Sequence, residues 1–201
     1  MTYGEMDDAF KRLLDEAQAP AAEPQERMDY LNAACLVWVL NHSPEISEKA
    51  RIDLSPITRV ETYNTLSVVD KDDLGFAYLR LIGLYGKWTN CGNEFVRIEP
   101  LIWDSYGNAQ RDPYQQPTDC FPMYTEDDYK LTVLSDTTAS QVKITYLKKP
   151  NTIDPVSNDG VTSQFKDHAC MEIVELALNR YLEVIESPRL NTQTQFIQPL
   201  Q

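Results

Sequence analysis

Apolar positions fall at helical spacing towards both ends of the chain and at strand spacing between them. Met6, Phe10, Leu13, Leu14 and Ala17 recur at three and four within GEMDDAFKRLLDEA, which predicts a helix over 4–17. QAPAAEP then breaks the pattern. A second helix is expected over 24–41, with Pro24 at a first helical position and a stripe of Met28, Leu31, Cys35 and Trp38. NHSP stops it, because the residue before Pro44 is pushed out of the α region. The most regular pattern lies over 165–186, where Cys170, Ile173, Val174, Ala177, Leu178, Tyr181 and Val184 share one face. SPR is expected to end that helix, and the polar, glutamine-rich 187–201 reads as an extended tail.

The middle of the chain changes period. ITRVETYN (57–64), FAYLRLIGLYGKW (76–88), EFVRIEPLIW (94–103), DYKLTVLS (128–135) and SQVKITYL (140–147) are rich in β-branched and aromatic residues and read as strands. The second and third are expected to form a hairpin with Gly92 in its turn, and the last two another around DTTA. Two irregular stretches remain, 104–122 and 150–164. The first is long for a compact domain, and loops of that length tend to be functional or to pack on a partner. The order predicts an α+β fold: N-terminal helices, a mostly antiparallel β module, a long C-terminal helix packing on it and an extended C-terminal tail. The expected organisation is one domain, 1–186, with helices 4–17, 24–41 and 165–186 around a β module 56–147, followed by the tail 187–201.

Composition narrows the partners. Hydrophobic residues make up 42% of the 201, enough for a real core. Thirty-one acidic residues against 18 basic ones give a net charge of −13. Binding nucleic acid by phosphate neutralisation needs the opposite balance, and anionic membranes would repel such a chain as well. The longest apolar run, AACLVWVL (33–40), is too short to span a bilayer, and MTYGEMDDAF has no apolar core of a secretory signal. Cys35, Cys91, Cys120 and Cys170 form no C-x-x-C pair, so reduced thiols in a product made in the cytoplasm are expected.

The search for catalytic chemistry is short. His42 and His168 lack metal spacing, and no phosphate-binding glycine loop, nucleophile elbow or zinc-protease motif is present. The adjacent carboxylates Asp7/Asp8, Asp72/Asp73 and Glu126/Asp127 read as solvated turn or cap residues, since neighbouring side chains diverge in every regular structure. No catalytic, metal or cofactor site is expected. What stands out is aromatic: Trp103, Tyr106, Tyr114, Phe121 and Tyr124 cluster in and beside the long loop. They either anchor it to the sheet or form a protein–protein interface, where aromatics are over-represented. Lys148 and Lys149 are a local basic spot at a strand end, bounded by Pro150. They read either as edge-strand lysines that block aggregation or as an orienting contact to an acidic neighbour.

Four segments, in order, carry a resemblance: APAAEPQERMDYLNAA after the first helix, FVRIEPLIWDSYGNAQRDPYQQP, VKITYLKKPNTID, and FKDHACMEIVELALNRYLE. Their order and spacing resemble head–tail connector (neck or ring) structural proteins of crAss-like and related tailed phages of Bacteroidota, over most of residues 25–186. The tail after Pro188 matches nothing in that pattern. The resemblance implies a virion protein of the head–tail neck rather than an enzyme. It would form a homo-oligomeric ring, a dodecamer, below the portal protein and against an adjacent neck ring or tail protein. It would extend a channel through which DNA passes without sequence-specific binding, away from any membrane and with no cofactor. The alternatives are another assembly role (tail completion, tail terminator or capsid decoration) or a non-viral soluble binding domain.

Overall fold

The computed structural model describes residues 1–43, 52–72, 74, 78–101 and 116–196, the side chains of 66 and 186–196 excepted. The fold is α+β, and the chain divides into two compact units, Met1–Pro56 with Pro150–Gln201, and Ile57–Lys149.

The first unit is helical: α1 (Tyr3–Glu16), α2 (Pro24–His42) and α3 (Asp167–Phe196). Thr2 and Glu5 cap α1 reciprocally, the Thr2 hydroxyl accepting from Glu5 N at 3.2 Å and the Glu5 carboxylate from Thr2 N at 2.8 Å. Pro24 opens α2, where its missing N–H costs nothing. Met6, Phe10 and Leu14 of α1, Leu31, Cys35 and Trp38 of α2, and Ile173, Val174 and Ala177 of α3 are buried. Within this unit α3 packs on α2 and α1. Tyr181 joins them, edge-on to Phe10 at 6.1 Å and to Tyr30 at 5.4 Å.

α3 also continues past Ser187–Pro188–Arg189, where the sequence predicts an end, and runs to Phe196. One proline removes one intrahelical hydrogen bond and kinks a helix without forbidding it on both sides. Of the expected extended tail, 197–201 lies outside the described residues. The irregular 150–166 segment is held by polar backbone contacts: the Asn32 amide donates to Ile153 O at 2.9 Å and accepts from Ile153 N at 2.8 Å, and Tyr3 N donates to Val161 O at 3.0 Å.

The second unit holds β1 (Thr58–Leu66), β2 (Val68–Asp70), β3 (Tyr78–Lys87), β4 (Phe95–Arg97), β5 (Glu99–Pro100), β6 (Met123–Glu126), β7 (Lys130–Leu134) and β8 (Ala139–Lys148). They form two four-stranded sheets, ordered β1-β8-β3-β4 and β2-β7-β6-β5. Pairing is antiparallel except between β5 and β6. Leu84, Trp88, Val142, Ile144 and Tyr146 of the first sheet and its margins share one buried cluster with Val69, Leu131 and Val133 of the second.

Two strand expectations need correction, for one physical reason. Residues 94–101 are not one strand: β4 lies in the first sheet, β5 in the second, and buried Ile98 is the corner between them. The 57–64 strand is found as β1, and the chain goes on past Thr65, with φ +55°, and the bend at Ser67 into β2 of the second sheet. β7 and β8 do not pair with each other: β7 lies between β2 and β6, and β8 between β1 and β3. A strand that switches sheets at a bend keeps its period-2 pattern, so alternation alone cannot separate a corner from a hairpin. The β3–β4 hairpin is found as expected, with Gly92 left-handed at φ +78°.

Candidate interaction site at the foot of the aromatic loop

β3 ends at Lys87, and Trp88 follows it, with its ring packed back over Gly86 on the core face. A 3₁₀ turn, Thr89–Cys91, follows, closed by Cys91 N and Asn93 N, both donating to Trp88 O at 3.3 and 3.2 Å. That turn brings Cys91 to Cys120, and the two form a disulfide with Cα atoms 5.4 Å apart across 29 positions. The expectation of reduced thiols is therefore corrected for this pair and holds for Cys35 and Cys170, which are free and buried.

Asp119, beside the disulfide, is 5% exposed and fully engaged. It accepts from Thr137 N and Thr137 Oγ1, both at 2.8 Å, and from the Asn90 amide at 3.2 Å. Burial pushes its carboxyl up, but the Thr137 and Asn90 hydrogen bonds outweigh that and hold it below the ordinary 3.8. Thr137 also receives the Trp88 indole N–H on its carbonyl, at 2.9 Å. One threonine in the corner between β7 and β8 thus ties together the β3 end and the 116–122 segment.

On this base sits a tight reciprocal turn. Thr118 N donates to Phe121 O, and Phe121 N to Thr118 O and Oγ1, all at 3.2 Å. Phe121 is 77% exposed. A large apolar ring is held towards solvent on backbone fixed by a covalent bond at position 120 and a buried carboxylate at 119. Such preorganisation lowers the ordering entropy that a contact residue would lose on binding.

The other expected site residues divide. Tyr124, on β6, is half-buried against the core of its unit, and its hydroxyl is shifted up by burial and then by the charges of Glu126 and Glu99. Its carbonyl accepts from Leu101 N at 2.8 Å, so it anchors the other end of the loop rather than displaying a ring. Trp103, Tyr106 and Tyr114 lie outside the described residues. Lys148, half-buried, ends β8, and Lys149 beyond it is exposed. They are not part of the loop foot: β8 starts beside Thr137, and its nine residue steps place Lys148 about 30 Å away.

The carboxylate pairs also divide. Glu126 pairs with Lys71 at 2.8 Å, and Asp127 caps Tyr129 N at 2.9 Å and Lys130 N at 2.7 Å, as turn residues should. Asp73 lies outside the described residues. Asp7 is not solvated: at 7% exposure it accepts from Arg27 Nε at 2.6 Å and Nη2 at 3.2 Å, with Lys11 Nζ at 2.7 Å. Asp7 faces inward because it stands one residue after Met6 on a helix whose buried face spans both positions.

Sequence reasoning missed Asp119 and the disulfide, though a signal was present. Cys91 and Cys120 sit in TNCGN and TDCFP, both turn contexts, while Cys35 and Cys170 sit in the apolar AACLV and HACME. Among the described residues, no group of three or more His, Cys, Asp or Glu side chains is placed to hold a metal ion. No known family model matches the chain, and no curated protein matches it.

Proposed function

We propose that this chain is a structural subunit of a phage head–tail connector, forming a ring below the portal that continues the DNA channel towards the tail. The resemblance in the order of its four motifs supports this, as does the acidic balance, which keeps a channel wall from holding DNA. The observation that carries it furthest is Phe121, exposed on a turn fixed by Cys120 and Asp119 at the foot of a long aromatic loop. Ring subunits bury irregular loops in their neighbours, and a rigid aromatic at the loop's foot suits such a contact.

The test combines native mass with an electron-microscopy map of the virion neck. The reading expects density for a ring of these subunits at the neck, and a Phe121→Asp chain that folds but no longer enters it. A stable trimer on the capsid surface would transfer the chain to capsid decoration, and a chain missing from the virion would overturn both.

A further inference from the structure

The charge of the second unit is unevenly divided. Its first sheet carries Arg59, Arg80, Lys87, Arg97, Lys143 and Lys148 against one carboxylate, Glu61. That is six cations against one anion, in a chain whose net charge is −13. Register shows which of them share a face. Tyr85 stands opposite Lys143 on one side and Arg97 on the other. Two residues on, Lys87 stands between Gln141 and Phe95. The alternate positions, Leu84, Val142 and Ile144, are buried, so these rows point outward. The Tyr85 ring lies over Gly83. Phe95 is 44% exposed, and the Arg97 side chain 64% exposed despite Glu99 at 3.3 Å. The result is an outward sheet face of three cations with two aromatic rings between them, half-buried at Tyr85, Lys87 and Lys143 and exposed at Phe95 and Arg97.

The opposite kind of surface occurs at one end of the second sheet. Where β2 ends and β6 turns into β7 stand Asp70, Asp72, Glu126, Asp127 and Asp128, with Lys71 and Lys130. Lys71 is already engaged by Glu126. Tyr129 projects from the middle of this turn at 73% exposure, and Asp127 fixes the backbone around it.

We propose that the acidic β6–β7 turn of one copy docks, Tyr129 first, on the outward cationic face of the first sheet of a second copy. Two different surfaces on one chain make a heterologous contact, the kind that closes into a ring when its rotation permits. The charges match in sign and the aromatic anchor meets aromatic partners, giving the contact both orientation and a desolvated centre. A nucleic acid is the weaker occupant: the face is flanked by Glu94 and Glu99, and a long polyanion would meet the whole −13 chain rather than three cations. The inference rests on the ring reading above and adds to the Phe121 contact two further surfaces between neighbours.

A charge swap tests it. One chain carries Lys87→Glu with Lys143→Glu, and another Asp72→Lys with Asp128→Lys. Self-association is measured by sedimentation velocity, with circular dichroism to confirm folding. The wild type should self-associate, and dissociate at about 1 M salt, where the Debye length is ~3 Å. Each variant alone should associate roughly tenfold or more weakly, and their equimolar mixture should recover, since both junctions are then complementary. Variants that associate as well as wild type, or a mixture that does not recover, overturn this contact and leave the ring reading standing. A wild type that stays monomeric at its solubility limit overturns both. A wild type that binds labelled duplex DNA, with loss only in the lysine variant, reassigns the face to nucleic acid and overturns the contact.

Discussion

The ring of Trp88 fills the space that a side chain on Gly86 would need. A Cβ built on Gly86 would lie 2.2 Å from the Trp88 ring, with Ile98 Cδ1 a further 3.2 Å contact. Both residues face the core of the sandwich, and Trp88 is also fixed through its indole N–H to Thr137. Gly86→Ala should therefore force Trp88 from its seat and cost about 1–3 kcal/mol, read as a lower midpoint in denaturant. An unchanged midpoint would show that the ring has room to move.

The disulfide gives a larger effect. It closes a span of 29 positions, for which chain entropy gives about 3–4 kcal/mol in the folded state's favour. Reduction, or Cys120→Ser, should lower stability by about that amount. Thiol titration checks the pairing separately. Cys35 and Cys170 are buried, and burial pushes the Cys35 thiol up to about 12 and raises that of Cys170. The folded, unreduced chain should thus show no fast-reacting thiol, and the denatured, unreduced chain should show Cys35 and Cys170 only. Four reactive thiols after denaturation would mean no disulfide.

Asp7 and Lys11 are linked but should differ sharply on removal. Asp7→Ala leaves the Arg27 guanidinium, whose side chain is 11% exposed, without its carboxylate, at a cost of about 3–5 kcal/mol. Lys11 is 47% exposed at its side chain, and Lys11→Ala should cost about 0–1 kcal/mol. Chemical denaturation of the two variants side by side checks the ranking, and equal losses would contradict it.

Acid should destabilise both units in the same window. Asp7, Asp53 and Asp119 are each buried, which pushes their carboxyls up, but hydrogen bonds and charges outweigh this and hold all three below the ordinary 3.8. For Asp7 the opposing partners are Arg27 and Lys11, for Asp53 His168 and Lys166, and for Asp119 Thr137 and Asn90. A depressed carboxylate adds stability above the unfolded value and loses it as pH falls through the folded value. The contribution of these groups should be constant above about pH 5 and decline from about pH 4 downward, with net proton uptake on unfolding. Their conversion to Asn should flatten that decline in a pH series of denaturant midpoints.

Helices and strands were legible where one face meets a core, because burial writes a period into the chain. The stripe of α3 and the alternation of β8 are examples, with Ile173, Val174, Ile144 and Tyr146 all buried. Strand partners were not legible. Ile98, Ser67 and the corner at Thr137 carry the chain between sheets without interrupting alternation. The site was legible in part: Phe121 stood out as an aromatic in a loop, whereas Asp119 looked like one more acid among 31. Its burial comes from Asn90 and Thr137, which are distant in sequence. The cationic face was invisible for a similar reason. Lys87, Arg97 and Lys143 are scattered through acidic sequence, and only the order β1-β8-β3-β4 gathers them.

That strand order has one more result. Thr58, near the start of the sandwich unit, stands opposite Leu147, near its end, in the β1–β8 ladder. The chain enters and leaves the unit side by side, one strand spacing of about 4.8 Å apart. A segment with adjoining ends can be lost, gained or exchanged by recombination without rethreading the rest of the polypeptide. The second unit thus interrupts the first between Pro56 and Pro150 with its own two ends adjoining, the arrangement in which insertion of one unit into another is tolerated.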